Sequence, residues 1–238
     1  MDRLTGVAEL LDGPLDDPAA LEGNLRDLAR INRLTGGTRL SERAIAALDG
    51  ANDTDQGERP MTILDVGTGG ADIPMTLLAR ARARGGRLEI AATDSRPEVL
   101  AAAGRARPAI ERTVGLELAV ADGRSLPYPD GAFDVGHCSM VVHHLEPDEA
   151  VAFLRELRRV SRRGIVVNDL VRGRLFWLGG WLLVHAVATS GYTRHDGPLS
   201  VRRAYTRPEL LGLLAAAELA PITTFSGFAR HRVAIAAR

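Results

Sequence analysis

Residues 61–74, MTILDVGTGGADIP, leave this chain fewer folding choices than any other stretch. Thr62, Ile63, Leu64 and Val66 form the short apolar run of a buried strand, Asp65 is set into its end, and Gly67, Gly69 and Gly70 follow at once. A helical pattern then begins near Ile73. Glycines without a Cβ let the backbone approach a ligand closely, and the N–H groups opening the next helix carry partial positive charge toward it. A bare strand-to-helix turn has no need of an acid two residues before its first glycine, so the stretch reads as a nucleotide-type site. The dinucleotide fingerprint Gly-x-Gly-x-x-Gly is not met, because its third glycine, counted from Gly67, falls on Asp72.

Further strands are expected at 88–93 with Asp94 at the tip, at 116–121 followed by Asp122 and Gly123, and at 133–138. Three more are expected at 164–167, ending in Asn168 and Asp169, at 222–228 and at 232–237. Helical periodicity fills the gaps, and such alternation predicts an α/β fold with a mostly parallel sheet and helices on both faces. Ahead of it, Asp17 and Pro18 make a cap-then-N1 start, and Leu21, Leu25, Leu28, Ile31 and Leu34 recur until Gly36 and Gly37. A second helix is expected over 40–48, with Ser41 near its start. Residues 1–59 are thus read as a helical cap and a polar linker, and 60–238 as the main domain. The cap either packs beside the sheet or covers the ligand cleft, where Arg30 and Arg33 are candidates to meet a carboxylate.

A lid insertion is expected at about 171–205. Its first part, 175–188, is apolar apart from His185 and carries both tryptophans, Trp177 and Trp181. As a helix it spans about 21 Å, short of a hydrocarbon core of roughly 30 Å, so it does not cross a bilayer. A core helix, a lid lining an apolar acceptor pocket, and an interfacial or homodimer face remain as readings. The second part, 191–205, is polar and turn-rich, after which Thr206, Pro208 and Glu209 start the last helix.

Composition excludes more than it selects. The 238 residues carry 30 basic and 30 acidic groups, so no global field recruits nucleic acid or an anionic membrane. Every basic residue is arginine. The single cysteine, Cys138, cannot form an internal disulfide, which suits a reducing cytoplasm, and the acidic first twenty residues do not read as a secretory signal.

Asp65, Gly67 and Gly69 match the acid-x-Gly-x-Gly-x-Gly motif of the class I S-adenosylmethionine-dependent methyltransferases, with Ala71 where the last glycine is usual. The resemblance covers about residues 60–170 well and the rest loosely. It implies a Rossmann-like, seven-stranded sheet with an antiparallel last strand, and S-adenosylmethionine as cofactor. The cofactor residues it implies are Asp65, Gly67, Thr68, Gly69, Asp94, Ser95, Asp122, Gly123 and Ser139. Asp65 would hold the methionine amino group or the network beside it, Asp94 the ribose hydroxyls, and Asp122 the adenine amino group, with Gly123 open to the ring. The "NDL" strand end, the apolar helix and "HDGPLSVRRA" look like a bacterial subgroup associated with polyketide and phenolic metabolism.

His143 and His144 follow the fourth strand, at the edge where ligands sit in open α/β sheets. One of them, or His195, is a candidate base for a phenolic or carboxylic oxygen of a small-molecule acceptor. The "HHL" element also resembles one that seats the cofactor loop in many members of the family. Without further clustered ligands the pair is a poor metal site, and no metal is expected. O-methylation is the first reading and C-methylation the second; a non-methylating protein that uses the same pocket is the alternative.

Overall fold

The computed structural model describes residues 1–49, 59–227 and 230–238. Most of the expected linker, and the end of the strand expected to reach Phe228, lie outside the described residues. The sheet contains β1 (Met61–Val66), β2 (Leu88–Asp94), β3 (Leu116–Val120), β4 (Phe133–Ser139), β5 (Ser161–Leu170), β6 (Pro221–Ser226) and β7 (Arg232–Ala237). Their spatial order is β3-β2-β1-β4-β5-β7-β6. All pairings are parallel except those of β7 with β5 and β6. Because β1 pairs with both β2 and β4, the strand order reverses between β1 and β4. The crevice at the carboxyl ends of those two strands is where such a sheet receives a ligand.

Period-two alternation divides the core. Ile63, Val135, Val166 and Ala234 pack beneath α2 (Gly37–Asp49) and α3 (Asp72–Ala83). Leu64, Val66, Cys138, Val167 and Ile235 face the other way, onto α5 (Pro147–Arg159) and α8 (Arg207–Ala216), where Phe153, Leu157 and Leu214 fill the layer. Each such leucine or phenylalanine contributes about 1.5–3 kcal/mol. The two N-terminal helices divide the roles proposed for them. α2 lies against the sheet through Leu40, Ala44 and Leu48, while α1 (Pro18–Thr35) packs on α4 (Pro97–Ala106) and lays Leu25 over the glycine turn. Gly36, at φ 74°, closes α1, and α2 begins directly at Gly37 rather than at Leu40.

Two helices stand between β5 and α8: α6 (Arg174–Val187) and α7 (Gly191–Arg203). The turn-rich reading of 191–205 is corrected: it is helical despite Gly197 and Pro198, because Thr193, Asp196, Ser200, Val201 and Arg203 are buried on one face against the N-terminal segment. α6 buries only Val184, and Leu175, Leu178 and Leu182 are exposed, so the core-helix reading of 175–188 does not hold. No helix among the described residues is long and apolar enough to cross a membrane.

At the amino end of the sheet, the carboxylate of Asp134 on β4 is fully buried. It accepts hydrogen bonds from Arg59, Arg162 and the Thr62 amide, and Arg163 stands 3.5 Å away. These partners hold its carboxyl below the usual range, although burial acts the other way.

Candidate active site

The turn after β1 takes its shape from three left-handed residues, Gly67 (φ 71°), Gly69 (φ 53°) and Ala71 (φ 52°). A Cβ on Gly67 would come within 2.4 Å of Val141, which closes over the turn from the tip of β4. Ala71, the non-glycine member, bears the strain and is fully buried. Inside the turn, the Thr68 hydroxyl is buried with no hydrogen-bond partner. An unpaired buried hydroxyl next to a turn that only glycine can make fits a ligand that supplies the missing partner.

Asp94, at the tip of β2, accepts the Gly69 amide on one oxygen (3.1 Å) and the Arg96 amide on the other (3.1 Å), and burial raises its pKa. Each oxygen keeps a further lone pair for a diol. Ser95 is exposed, and Arg96, not Ser95, occupies the N-cap of α4. Asp122 is exposed at the end of β3, where its carboxylate meets the Arg124 guanidinium (2.9 Å). Gly123, next to it, is half-buried. Phe153 of α5 and Val66 already occupy the place a Cβ would take, so its lack of a side chain serves core packing.

Two polar clusters underlie this edge, one on each face of the sheet, and alternation along the strands decides which residues join each. On the α2 face, Asp65 accepts from His137 Nδ1 (2.5 Å), leaving His137 Nε2 to accept from the Ser41 hydroxyl (2.7 Å). Ser41 in turn accepts from Asn168, whose carbonyl receives Arg232 Nε (2.7 Å). Arg232, 1% exposed, also donates to Asn32 and to the Ser139 hydroxyl, and burial lowers its pKa to about 10. Asp65 and Ser139 are therefore held from behind by an internal network. Ser41, His137, Asn32 and Arg232 carry no local signal of this role; only the register of the folded sheet brings them together.

On the opposite face His143, 1% exposed, donates from Nδ1 to Asp169 (2.6 Å), which also accepts the His143 amide. Burial works to raise the Asp169 carboxyl, but His143 and the amides hold it below its usual value. His144 donates from Nδ1 to Asp12 (2.9 Å). Both imidazoles thus turn Nε2 toward the buried Glu9, at 3.9 Å from His143 and 3.8 Å from His144. His143 Nε2 is buried and without a hydrogen-bond partner. Burial pushes Glu9 up to about 7, against the pull of His144 and Arg203. Glu9 precedes and Asp12 ends the short 3-10 turn Leu10–Asp12, which α7 fastens: Asp196 accepts the amides of Leu10 and Leu11, and Arg203 pairs with Asp12. Sequence reading missed both acids, which sit in no local pattern.

His195 does not join this group. Its side chain is exposed on α7 and donates to Asp196. Arg30 is engaged with the Val187 carbonyl, and both Arg30 and Arg33 line a cavity of about 860 Å³ between α1, α2 and α3. Arginines dominate that cavity, and Asp72 is its one acid among the described residues.

Residues 63–164 match a family model described as a methyltransferase domain. The ubiquinone/menaquinone biosynthesis C-methyltransferase of Rickettsia akari is 36% identical over 72 residues, 30% of this chain. That match spans 29% of the relative's own length. A methyltransferase structure from Aquifex aeolicus, described as S-adenosylmethionine-dependent, is 20% identical and covers 93% of this chain and 97% of its own, with a TM-score of 0.63. An O-methyltransferase family 2 protein from Planctomyces limnophilus, in complex with apigenin, is 18% identical and covers 95% of this chain and 63% of its own, at a TM-score of 0.58. At these identities the likeness of the structures is one of fold.

Proposed function

We propose that this chain is a class I S-adenosylmethionine-dependent methyltransferase, a reading that the domain match over 63–164 and the fold support, and that it methylates an oxygen of a small, hydrophobic, phenol-like acceptor. The observation that carries the reading is the convergence at one sheet edge of the Gly67–Gly69 turn with its unpaired Thr68 hydroxyl, the Asp94 carboxylate, and two carboxylate-oriented histidines. S-adenosylmethionine, when bound, supplies an electrophilic methyl group. The remaining work of the chain is to hold, align and exclude water.

In this reading the turn 67–71 and Asp94 seat the nucleoside, with Thr68, Ser95, Asp122 and Ser139 around it. His143 is the stronger base of the pair: Asp169 fixes its tautomer, so the lone pair on Nε2 is free to take a proton from an acceptor hydroxyl. His195 is the weaker candidate because it is exposed and engaged elsewhere. α6, rich in Leu and Trp, offers the apolar surface a flat acceptor needs, and the apigenin bound to the Planctomyces protein has that chemistry. Carbon methylation is the second reading, favoured by the printed activity of the Rickettsia relative.

Incubating the protein with methyl-labelled S-adenosylmethionine and a panel of phenols, carboxylic acids and quinol-type rings tests this. Label on a phenolic oxygen is expected, with label on ring carbon selecting the second reading. Tight cofactor binding without transfer to any acceptor of the panel would leave a non-methylating protein. If changing both His143 and His144 to Ala leaves turnover intact, neither is the base.

A further inference from the structure

We propose that Glu9, His143 and His144 form a binding site for one divalent transition-metal cation, with zinc the best match to the donor set. A carboxylate and two imidazoles suit zinc, which accepts nitrogen and oxygen donors in a tetrahedron and leaves a position open when the protein supplies three. The Nε2 atoms of both histidines and the carboxylate of Glu9 all lie within 4.8 Å of one another. In a tetrahedral zinc site with bonds near 2.0–2.1 Å, neighbouring donor atoms sit about 3.4 Å apart. The Glu9 carboxylate stands 3.9 Å from His143 through Oε1 and 3.8 Å from His144 through Oε2, each about half an ångström longer than that.

Three further features point the same way. Each imidazole donates its other ring N–H to a carboxylate, His143 to Asp169 and His144 to Asp12. Protein metal sites use that carboxylate–histidine pairing to fix the tautomer and aim the lone pair at the ion. The aimed lone pair of His143 is buried and meets no donor. The charge is also one-sided. Glu9, Asp12, Asp169 and Asp196 gather here, and the guanidinium that meets Glu9 and Asp12 is that of Arg203. A divalent cation would balance most of that excess. His144 remains partly exposed, giving the ion a way in.

The consequence is mechanical as well as electrostatic. Glu9 belongs to the N-terminal segment and the histidines to the loop after β4, so an ion would staple that segment across the sheet edge. The cation and an acceptor's proton would compete for the same Nε2 lone pairs. Metal binding can nevertheless be measured with no cofactor or acceptor present, so its failure is distinct from failure of the methyl-transfer reading.

The test is equilibrium dialysis of the chelator-treated protein against cobalt(II), read by visible absorption, with zinc(II) as competitor and elemental analysis for stoichiometry. One equivalent of cobalt with a tetrahedral-type spectrum, displaced by zinc, is expected. Glu9→Gln, which keeps the size and the Ser200 hydrogen bond, and His144→Ala, at a partly exposed position, are each expected to weaken binding more than about 100-fold. Even outer partners of metal-ligating histidines are worth 10–100-fold. His185→Ala, at an exposed histidine stacked on Trp181 outside the cluster, should bind as the parent does. Thermal unfolding with and without zinc gives a second readout: the melting temperature rises on loading in the parent and not in Glu9→Gln. Absence of stoichiometric binding, or equal binding by the parent, Glu9→Gln and His144→Ala, overturns the proposal.

Discussion

The two ends of the same sheet treat buried carboxylates in opposite ways. At the amino end, Asp134 is surrounded by the guanidinium groups of Arg59, Arg162 and Arg163, and both of its oxygens are satisfied. Arg59 and Arg162 remain partly exposed, so their surplus charge is solvated. At the carboxyl end Arg203 meets Glu9 and Asp12, Asp196 and Asp169 add two further buried carboxylates, and His143 keeps an unpaired buried nitrogen. The first arrangement is what stability alone selects. The second costs stability, since buried polar atoms without partners are unfavourable, and it is the kind of arrangement a binding or catalytic site requires.

Breaking each end should therefore do different things. The largest effect is expected at the upper end: His143→Asn should lower kcat by about 10²–10⁴, the usual worth of a positioned proton acceptor, while cofactor affinity stays within about twofold. Steady-state kinetics beside a cofactor titration separates the two. Asp134→Asn should leave kcat per folded molecule unchanged. It should cost about 2–3 kcal/mol of stability, the scale of a charge-assisted hydrogen-bond set, seen as a lower urea midpoint. Equal loss of kcat in both variants would erase the distinction between the ends.

A pH series sharpens the same contrast. The folded-state pKa of Asp134 lies below its unfolded value, so its contribution to stability is present above pH about 4 and is lost as the pH falls through the acid range. Urea midpoints measured from pH 6 to pH 3 should fall less steeply in Asp134→Asn than in the parent. The smallest effect concerns the glycine turn. Ala71→Gly relieves a left-handed alanine but frees the unfolded chain, so stability should rise by less than about 1 kcal/mol with activity retained. A clear loss of activity in Ala71→Gly would mean that the strain at Ala71 contributes to function.

How much of this was legible in the sequence follows from how local each signal is. The strands, the glycine turn after β1 and the acid at the tip of β2 are written in runs of a few residues, so the sheet could be read directly. Thr206 and Glu209 likewise announced the capping box that starts α8. The packing at Gly123 was not legible, because Phe153, which fills the space a side chain there would need, comes from thirty residues further on. The 191–205 segment looked like a loop because propensity disfavours Gly197 and Pro198; burial of one face overrides that preference. Glu9 and Asp12 were unreadable as site residues, since only tertiary packing of α7 brings the N-terminal turn onto His143 and His144.

Calorimetric titration of S-adenosylhomocysteine into the parent protein and into Asp94→Asn tests the central claim most directly. One site per chain, weakened at least tenfold by the substitution, is the expected result. No detectable binding by the parent, or unchanged affinity in Asp94→Asn, would contradict the assignment of this sheet edge to an adenosine-bearing cofactor.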